Sequence, residues 1–481
     1  MMEIDFIIDG KAARSSDDRT FERFDPVTGE LATRGAAASL TDIETVVASA
    51  AKAFTTWSET GPTTRRTLLL KAADLMESRT ADFIRLMLAE TGATVPWAGF
   101  NVHLAAGILR EAAALTTQIT GEVIPSDKPG ILSMAIRQPV GVVLGMAPWN
   151  APVILGTRAV AAALACGNTV ILRSSETCPA THHLIGQTLN DAGFPPGVVN
   201  VISNAPADAP AIVEALIAHK AIKRINFTGS TKVGKIIAKL AAEHLKPVLL
   251  ELGGKAPLIV LDDADLDQAV DAAAFGAFVN QGQICMSTER LVVDETVADA
   301  FVAKLAAKAS KLPAGDPRGH VVLGSMIDLQ PAEKMDALIA DALAKGAVLV
   351  CGGHRQGTIV EATLLDHVTP AMRIYQEESF GPVKPIVRVK GVDEAVQVAN
   401  DTEYGLSAAV FGKDIQRALS VAKRIESGIC HINGPTVADE AQIPFGGMKA
   451  SGYGRFGGKA VIDEFTELRW ITIEGPQHYP F

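Results

Sequence analysis

The stretch Val140–Ser175, VGVVLGMAPWNAPVILGTRAVAAALACGNTVILRSS, decides the fold. VGVVLGMAPW is a short, wholly apolar run of the kind that forms a strand covered on both faces, PVILGTRAVAAALACG is apolar over helical length, and NTVILRSS is a second short apolar run. Two such strands joined by a helix make a parallel crossover unit. The unit repeats outward through ATHHLIGQTLNDAG, VVNVIS, DAPAIVEALIAHK, IKRINF, TGSTKVGKIIAKLAAEHL and VLLELGG, alternating helix and strand. This predicts an α/β fold wound around a parallel sheet. Gln138–Thr157 is free of charge and long enough for a membrane span, but Pro139, Pro148, Asn150 and Pro152 interrupt it, so it reads as strand, loop and helix start.

From Leu40, TDIETVVASAAKAFTTW and RRTLLLKAADLMESRTADFIRLMLAE place apolar residues at helical spacing, so the first hundred residues are expected to be mainly helical. Near Gly121 the texture changes: EVIPSD and ILSMAIRQPVGVV are extended runs joined by DKPG, a hairpin pattern. A second α/β series begins with APLIVLDDADLDQAVDAAAFGAF and runs through ERLVVDE, a helix from Val297, VLVCGG, IVRVK, AVQVAN, AAVFG and CHIN. A domain change is therefore expected between Glu251 and Lys255, with a cleft between two nucleotide-fold-like halves. The tail ELRWITIEG is a strand without a partner in either series and is expected to pair with the hairpin or with another subunit.

With 481 residues, 48% of them hydrophobic, the chain has material for two to four domains at roughly 100–200 residues each. The 54 acidic side chains outnumber 44 basic ones, which argues against nucleic acid or an anionic membrane as partner, since both reward clustered Lys and Arg. Five widely spaced cysteines without a CxxC pair suit a reducing, cytoplasmic compartment. Glu3 and Asp5 stand where a secretory peptide needs positive charge, so the mature chain is expected to start here. His182 and His183 would diverge on a helix, and His103 and His431 lack carboxylates at ligand spacing; no metal site is expected.

Three residues stand at strand or helix ends, where α/β folds build ligand sites. Cys285 lies in NQGQICMSTER among small polar residues, the access a nucleophile needs, although free cysteine commonly serves as a small buried hydrophobe. Cys166, Cys351 and Cys430 read as packing. Glu251 closes the apolar strand VLLELGG, where desolvation makes a useful base; a bond to the Gly253-Gly254 turn is the alternative. Asn150, in APWNAP, offers an amide to an oxyanion or caps a helix. FTGSTKVGK puts Gly229, Ser230 and Gly234 at a strand-to-helix turn suited to an anion or simply to a tight connection. Its likeness to a phosphate-binding NTPase loop fails at Ile236, where a magnesium-binding hydroxyl is required.

Taken together, PWN at 148–150, FTGSTKVG at 227–234, ELGGK at 251–255, GQIC at 282–285, EESFGP at 377–382 and PFGGMKASGYGR at 444–455 resemble the NAD(P)-dependent aldehyde dehydrogenase superfamily. WAGFNVHLAAGILREAA, NQGQICMSTERLVVDE and YGRFGGKAVIDEFTELRWITIE are similar to its aromatic branch, the salicylaldehyde and vanillin dehydrogenases. The resemblance implies two Rossmann-like parallel-sheet domains plus a β oligomerisation element: residues 1–121 and 142–251 binding NAD, 252–432 catalytic, 122–141 and 466–481 oligomerising, and 433–465 returning to the cleft. It implies oxidation of an aromatic aldehyde such as benzaldehyde to its acid, aliphatic or semialdehyde substrates being the alternative, by a homodimer or dimer of dimers. A catalytically silent structural relative would need a damaged site, whereas Cys285, Glu251 and Asn150 are all present. In these roles Cys285 is the nucleophile, Asn150 the oxyanion donor and Glu251 the base for thioester hydrolysis.

The same resemblance places Glu378 on the nicotinamide ribose and Phe380 against the nicotinamide. Trp149 and Leu252 join the cofactor site, and Gly229, Ser230 and Gly234 lie beside the pyrophosphate. Glu176 would accept from the adenosine ribose hydroxyls, favouring NAD because the phosphate of NADP would meet negative charge. Arg173 departs from the family's usual Lys and would soften that discrimination. Trp97, Arg158 and Phe445 are candidate pocket residues: Trp97 as a flat face, Arg158 as an attractor of phenolate or carboxylate or else a structural ion pair, and Phe445 as a wall or ordinary packing.

Overall fold

The computed structural model describes residues 1–481. Val142–Met146, Thr169–Arg173 and Val199–Ile202 are buried at almost every position, as strands sandwiched between helices must be. Side-chain alternation divides them between two cores. Val143, Val170 and Leu172 join a core with the helices Pro62–Ser78, Val95–Leu115 and Pro152–Ala165; Leu144, Met146 and Ile171 join another with Leu40–Trp57 and Thr231–Glu243.

The strands form an eight-stranded sheet in the order Gly452–Tyr453, Val248–Glu251, Ile222–Thr228, Val142–Met146, Thr169–Arg173, Val199–Ile202, Phe6–Ile8, Lys11–Ala13. The five central strands are parallel and the outer ones antiparallel. From Val142–Met146 the chain winds one way through Thr169–Arg173 and Val199–Ile202. It then returns to the other side with Ile222–Thr228 and Val248–Glu251. The order therefore reverses between Val142–Met146 and Ile222–Thr228, and the loops leaving their carboxyl ends diverge around a crevice.

A seven-stranded sheet takes its strands from Pro257–Val260 through Ile429–Ile432, parallel except at the edge strand Val348–Cys351. The unpartnered tail finds its place: Thr466–Ile473 pairs antiparallel with Leu132–Pro139, which also pairs with Glu122–Ile124, giving a three-stranded sheet. Leu468, Trp470 and Ile473 remain exposed on it. The expectation of a mainly helical first hundred residues holds from Leu40 onward and needs correction before it. Residues 2–36 carry five short strands, and helices begin only at Leu40. Those strands are three to six residues long, too brief for periodicity to register. All five cysteines are free, and no helix is long and apolar enough to cross a membrane.

Candidate active site

Cys285 follows a loop the backbone adopts under strain. Asn280, Gln281 and Gly282 all take left-handed conformations, with φ of 49°, 55° and 71°. A side chain on Gly282 would stand 2.4 Å from the Gly381 carbonyl oxygen, and one on Gly254 would stand 2.3 Å from that of Cys285. Only glycine permits these approaches. They bring the turn after Glu251, the Cys285 loop and the Glu378–Gly381 loop into direct contact.

Side chains hold the loop as tightly. The Asn150 carbonyl accepts from Trp97 Nε1 and Asn280 Nδ2, each at 3.0 Å, and Asn150 Nδ2 donates to the Gln283 carbonyl at 3.0 Å. One proton of the Asn150 amide is thus spoken for and the other is available. The Cys285 backbone N–H has no protein acceptor. Both donors belong to residues that line a cavity of about 560 Å³, walled by 27 residues, 19 of them hydrophobic. Trp97, Phe100, Phe278 and Phe445 supply aromatic walls, with Trp97 and Phe100 stacked at 5.6 Å.

The Glu251 carboxyl is 2% exposed and close enough to the Cys285 thiol for each to perturb the other's ionisation, and its Oε1 has no protein partner. Burial pushes this carboxyl up to about 8, against the opposing pull of the Cys285 thiol and Arg158. Burial and the adjacent Glu251 push the Cys285 thiol well above its ordinary range. A protonated thiol beside a carboxyl that titrates near neutrality can pass its proton there and become a nucleophile.

Arg158, for which two roles were open, makes an ion pair. Its Nη2 donates to both Asp439 oxygens, at 2.9 and 2.7 Å, and the guanidinium lies 4.7 Å from the centre of the Phe445 ring. It lines the cavity with its charge already matched. Phe445, 2% exposed, is both a cavity wall and the face beneath that cation.

The remaining candidates gather along the carboxyl edge of the eight-stranded sheet. Trp149 meets Phe380 edge-on, ring centres 5.8 Å apart, and Phe380 has a φ of 50°. One Glu378 oxygen accepts from the Gly254 N–H at 2.8 Å, and burial pushes this carboxyl up to about 7. The Gly229 N–H is taken by the Glu251 carbonyl and the Gly234 N–H by the Ser230 carbonyl, while the Ser230 hydroxyl caps Val233 N–H. An anion at this turn therefore meets the amides at the start of the Thr231–Glu243 helix rather than those of the two glycines. The Leu252 N–H donates to the Ser451 carbonyl at 3.0 Å. Arg173, at the end of the next strand but one, pairs with Glu176 at 2.9 Å and Asn204 at 2.8 Å. The residues present fit a dinucleotide along this edge: helix-start amides at the reversal of strand order, the Glu176 and Glu378 carboxylates, and the Trp149–Phe380 pair.

Sequence reading missed the partners. Asn280 and Gln283 fix the loop, Asp439 neutralises Arg158, and Glu289 joins Lys255 at 2.8 Å and Lys384 at 2.9 Å in a buried cluster. Lys384, which with Arg388 interrupts the apolar strand Val383–Val389, was the one visible signal.

Residues 13–471 match the aldehyde dehydrogenase family. A vanillin dehydrogenase from Pseudomonas fluorescens is 62% identical over 482 aligned positions, covering 100% of both chains. An NAD(+) benzaldehyde dehydrogenase from Pseudomonas putida is 39% identical, covering 95% of this chain and 94% of its own. The crystal structure of a salicylaldehyde dehydrogenase from Pseudomonas putida G7 complexed with salicylaldehyde superposes with a TM-score of 0.98 at 55% identity, covering 100% of each chain. Sequence and architecture agree over the full length, and the chain belongs to the aldehyde dehydrogenase family.

Proposed function

We propose that this enzyme oxidises an aromatic aldehyde to its carboxylate, using NAD and a covalent intermediate on Cys285. The observation that carries the reading is the aromatic-walled cavity lined by both Cys285 and Asn150, with the buried Glu251 carboxyl, its Oε1 unpartnered, beside the thiol. Flat aromatic walls favour a flat aromatic ring, and relatives named for vanillin, salicylaldehyde and benzaldehyde support the class.

Cys285 yields its proton toward Glu251, and the sulfur bonds to the carbonyl carbon. The resulting alkoxide is held by the free proton of the Asn150 amide and the Cys285 N–H, donors fixed before the reaction begins. A bound nicotinamide would supply the hydride acceptor that oxidation of this adduct to the thioester requires. Glu251 releases the thiol's proton to solvent and, again ionised, takes a proton from water as the water attacks the thioester carbon. The carbon–sulfur bond breaks, the carboxylate leaves and the thiol is restored.

Glu378, Phe380, Trp149 and Leu252 would hold the nicotinamide half of the cofactor, the Gly229–Gly234 turn the pyrophosphate, and Glu176 the adenosine ribose hydroxyls. The Glu176 carboxylate supports NAD over NADP, and Arg173, already committed to Glu176, is less free to attract an additional phosphate. In this reading residues 1–121 and 142–251 bind the cofactor and 252–432 complete the catalytic side. The sheet of 122–141 with 466–481 joins subunits. The cysteines, all free, suit a reducing cytoplasm.

The test is a panel of benzaldehyde, salicylaldehyde, vanillin and a short aliphatic aldehyde, with NAD or NADP, followed by NAD(P)H absorbance. Higher kcat/KM for the aromatic compounds with NAD is expected. Preference for the aliphatic aldehyde would overturn the substrate class, and preference for NADP the role of Glu176.

A further inference from the structure

Glu289 stands at the start of the strand Arg290–Asp294, just beyond the Cys285 loop. Its two oxygens serve three segments of the chain. Oε2 accepts from Lys255 Nζ and the Ser379 N–H, both at 2.8 Å. Oε1 accepts from Lys384 Nζ at 2.9 Å, the Ser379 hydroxyl at 2.6 Å and the Phe380 N–H at 3.3 Å. Lys255 continues to the Glu377 carbonyl at 2.7 Å, and from the outer side Lys334 Nζ reaches the Glu378 carbonyl at 2.6 Å.

The two lysines and the carboxylate are no more than 1% exposed. Such a cluster is a poor source of stability, because desolvating each charge carries a cost that apolar packing would not. What it does provide is direction. Beside the two lysines, the donors to Glu289 are the amides and hydroxyl of Ser379 and Phe380, the residues that follow Glu378, and Phe380 sits in a left-handed conformation that a bulky side chain adopts only when its surroundings impose it. Burial raises the Glu289 carboxyl, but Lys255 and Lys384 outweigh it and hold the group well below the usual carboxylate range, so it stays an acceptor throughout the working pH range.

We propose that Glu289 is a positioning residue for the nicotinamide half of the cofactor. It pins the Glu377–Phe380 loop so that the Glu378 carboxyl and the Phe380 ring are set before the dinucleotide arrives. The proposal rests on the reading of Glu378 and Phe380 as cofactor-facing.

Two variants test it. Glu289→Asp keeps the charge the lysines require but shortens the reach, and Ser379→Ala deletes only one donor. Each is assayed by calorimetry with NAD and with ADP, which lacks the nicotinamide half, and by the cofactor-free burst of nitrophenolate released when p-nitrophenyl acetate acylates Cys285. The expected result is an NAD Kd raised about tenfold in Glu289→Asp and by a smaller factor in Ser379→Ala, the scale of a lost charge-assisted hydrogen bond. The ADP Kd and the burst rate stay within about twofold, a pattern general loosening of the fold would not give. Unchanged NAD affinity in both variants overturns the proposal, as does a parallel loss of ADP affinity and burst. Should Glu289→Asp not fold, Ser379→Ala alone decides. Glu378→Gln separates the two readings: if it binds NAD like the parent, the cofactor-facing assignment fails; if it weakens NAD while Glu289→Asp and Ser379→Ala do not, only the positioning role fails.

Discussion

Ionisation of Glu251 controls thioester hydrolysis in this account, so pH is the perturbation with the clearest signature. Burial moves the carboxyl from 4.5 to about 8. At pH 7 about one tenth of the molecules then carry the base. Deacylation rises about tenfold from pH 6 to 7, about fivefold more from pH 7 to 8, and levels near pH 9. Stability runs in the opposite direction. A carboxyl with a raised pKa favours the fold in its protonated form, so its contribution is fully present below about pH 4.5 and is lost as pH rises through about 8. The assay forms benzoyl-Cys285 with p-nitrophenyl benzoate, removes excess ester by rapid gel filtration and follows loss of the acyl group by mass spectrometry at each pH. Glu251→Gln should deacylate about 10²–10⁴-fold more slowly, without the rise. A flat parent profile between pH 6 and 9, or the same rise in Glu251→Gln, would refute the reasoning.

Asn150→Ala removes one of two oxyanion donors and should lower kcat about 10²–10³-fold in steady-state assays with benzaldehyde. Asp439→Asn leaves the Arg158 cation, 5% exposed, without its partner; chemical denaturation should show a loss of about 3–5 kcal/mol. Because Asp439 also raises the Glu251 carboxyl, the deacylation profile of that variant should shift to lower pH. On the tail sheet, Leu468→Lys with Trp470→Lys places charge on exposed apolar positions, 60% and 73% accessible, and should yield smaller species by sedimentation if this sheet joins subunits. An unchanged sedimentation coefficient would remove that role from it.

The central winding was legible because parallel strands covered on both faces must be apolar throughout, and Val142–Met146, Thr169–Arg173 and Val199–Ile202 are. Cys285, Glu251 and Asn150 were legible as residues of the right chemistry at element ends. Their partners were not. Arg158 and Asp439 are 281 positions apart, and Glu289 and Lys384 are 95 apart, so no local pattern links them. The left-handed Gln281 was equally hidden, since only its neighbours Asn280 and Gly282 are of residue types that favour that conformation. The early strands escaped because their pairing, such as Met2–Ile4 alongside Thr33–Gly35, is long-range while each segment is too short to show a period.

The central claim is that carbon from the aldehyde becomes bonded to Cys285 and that Glu251 releases it. Peptide mass spectrometry of Glu251→Gln mixed with benzaldehyde and NAD tests this most directly. The account predicts a benzoyl group on the Cys285 peptide, formed more slowly than in the parent because glutamine cannot take the thiol proton, and at most about one NADH per subunit before the reaction stalls. Sustained NADH production with an unmodified Cys285, or an acyl group carried by another residue, would contradict it.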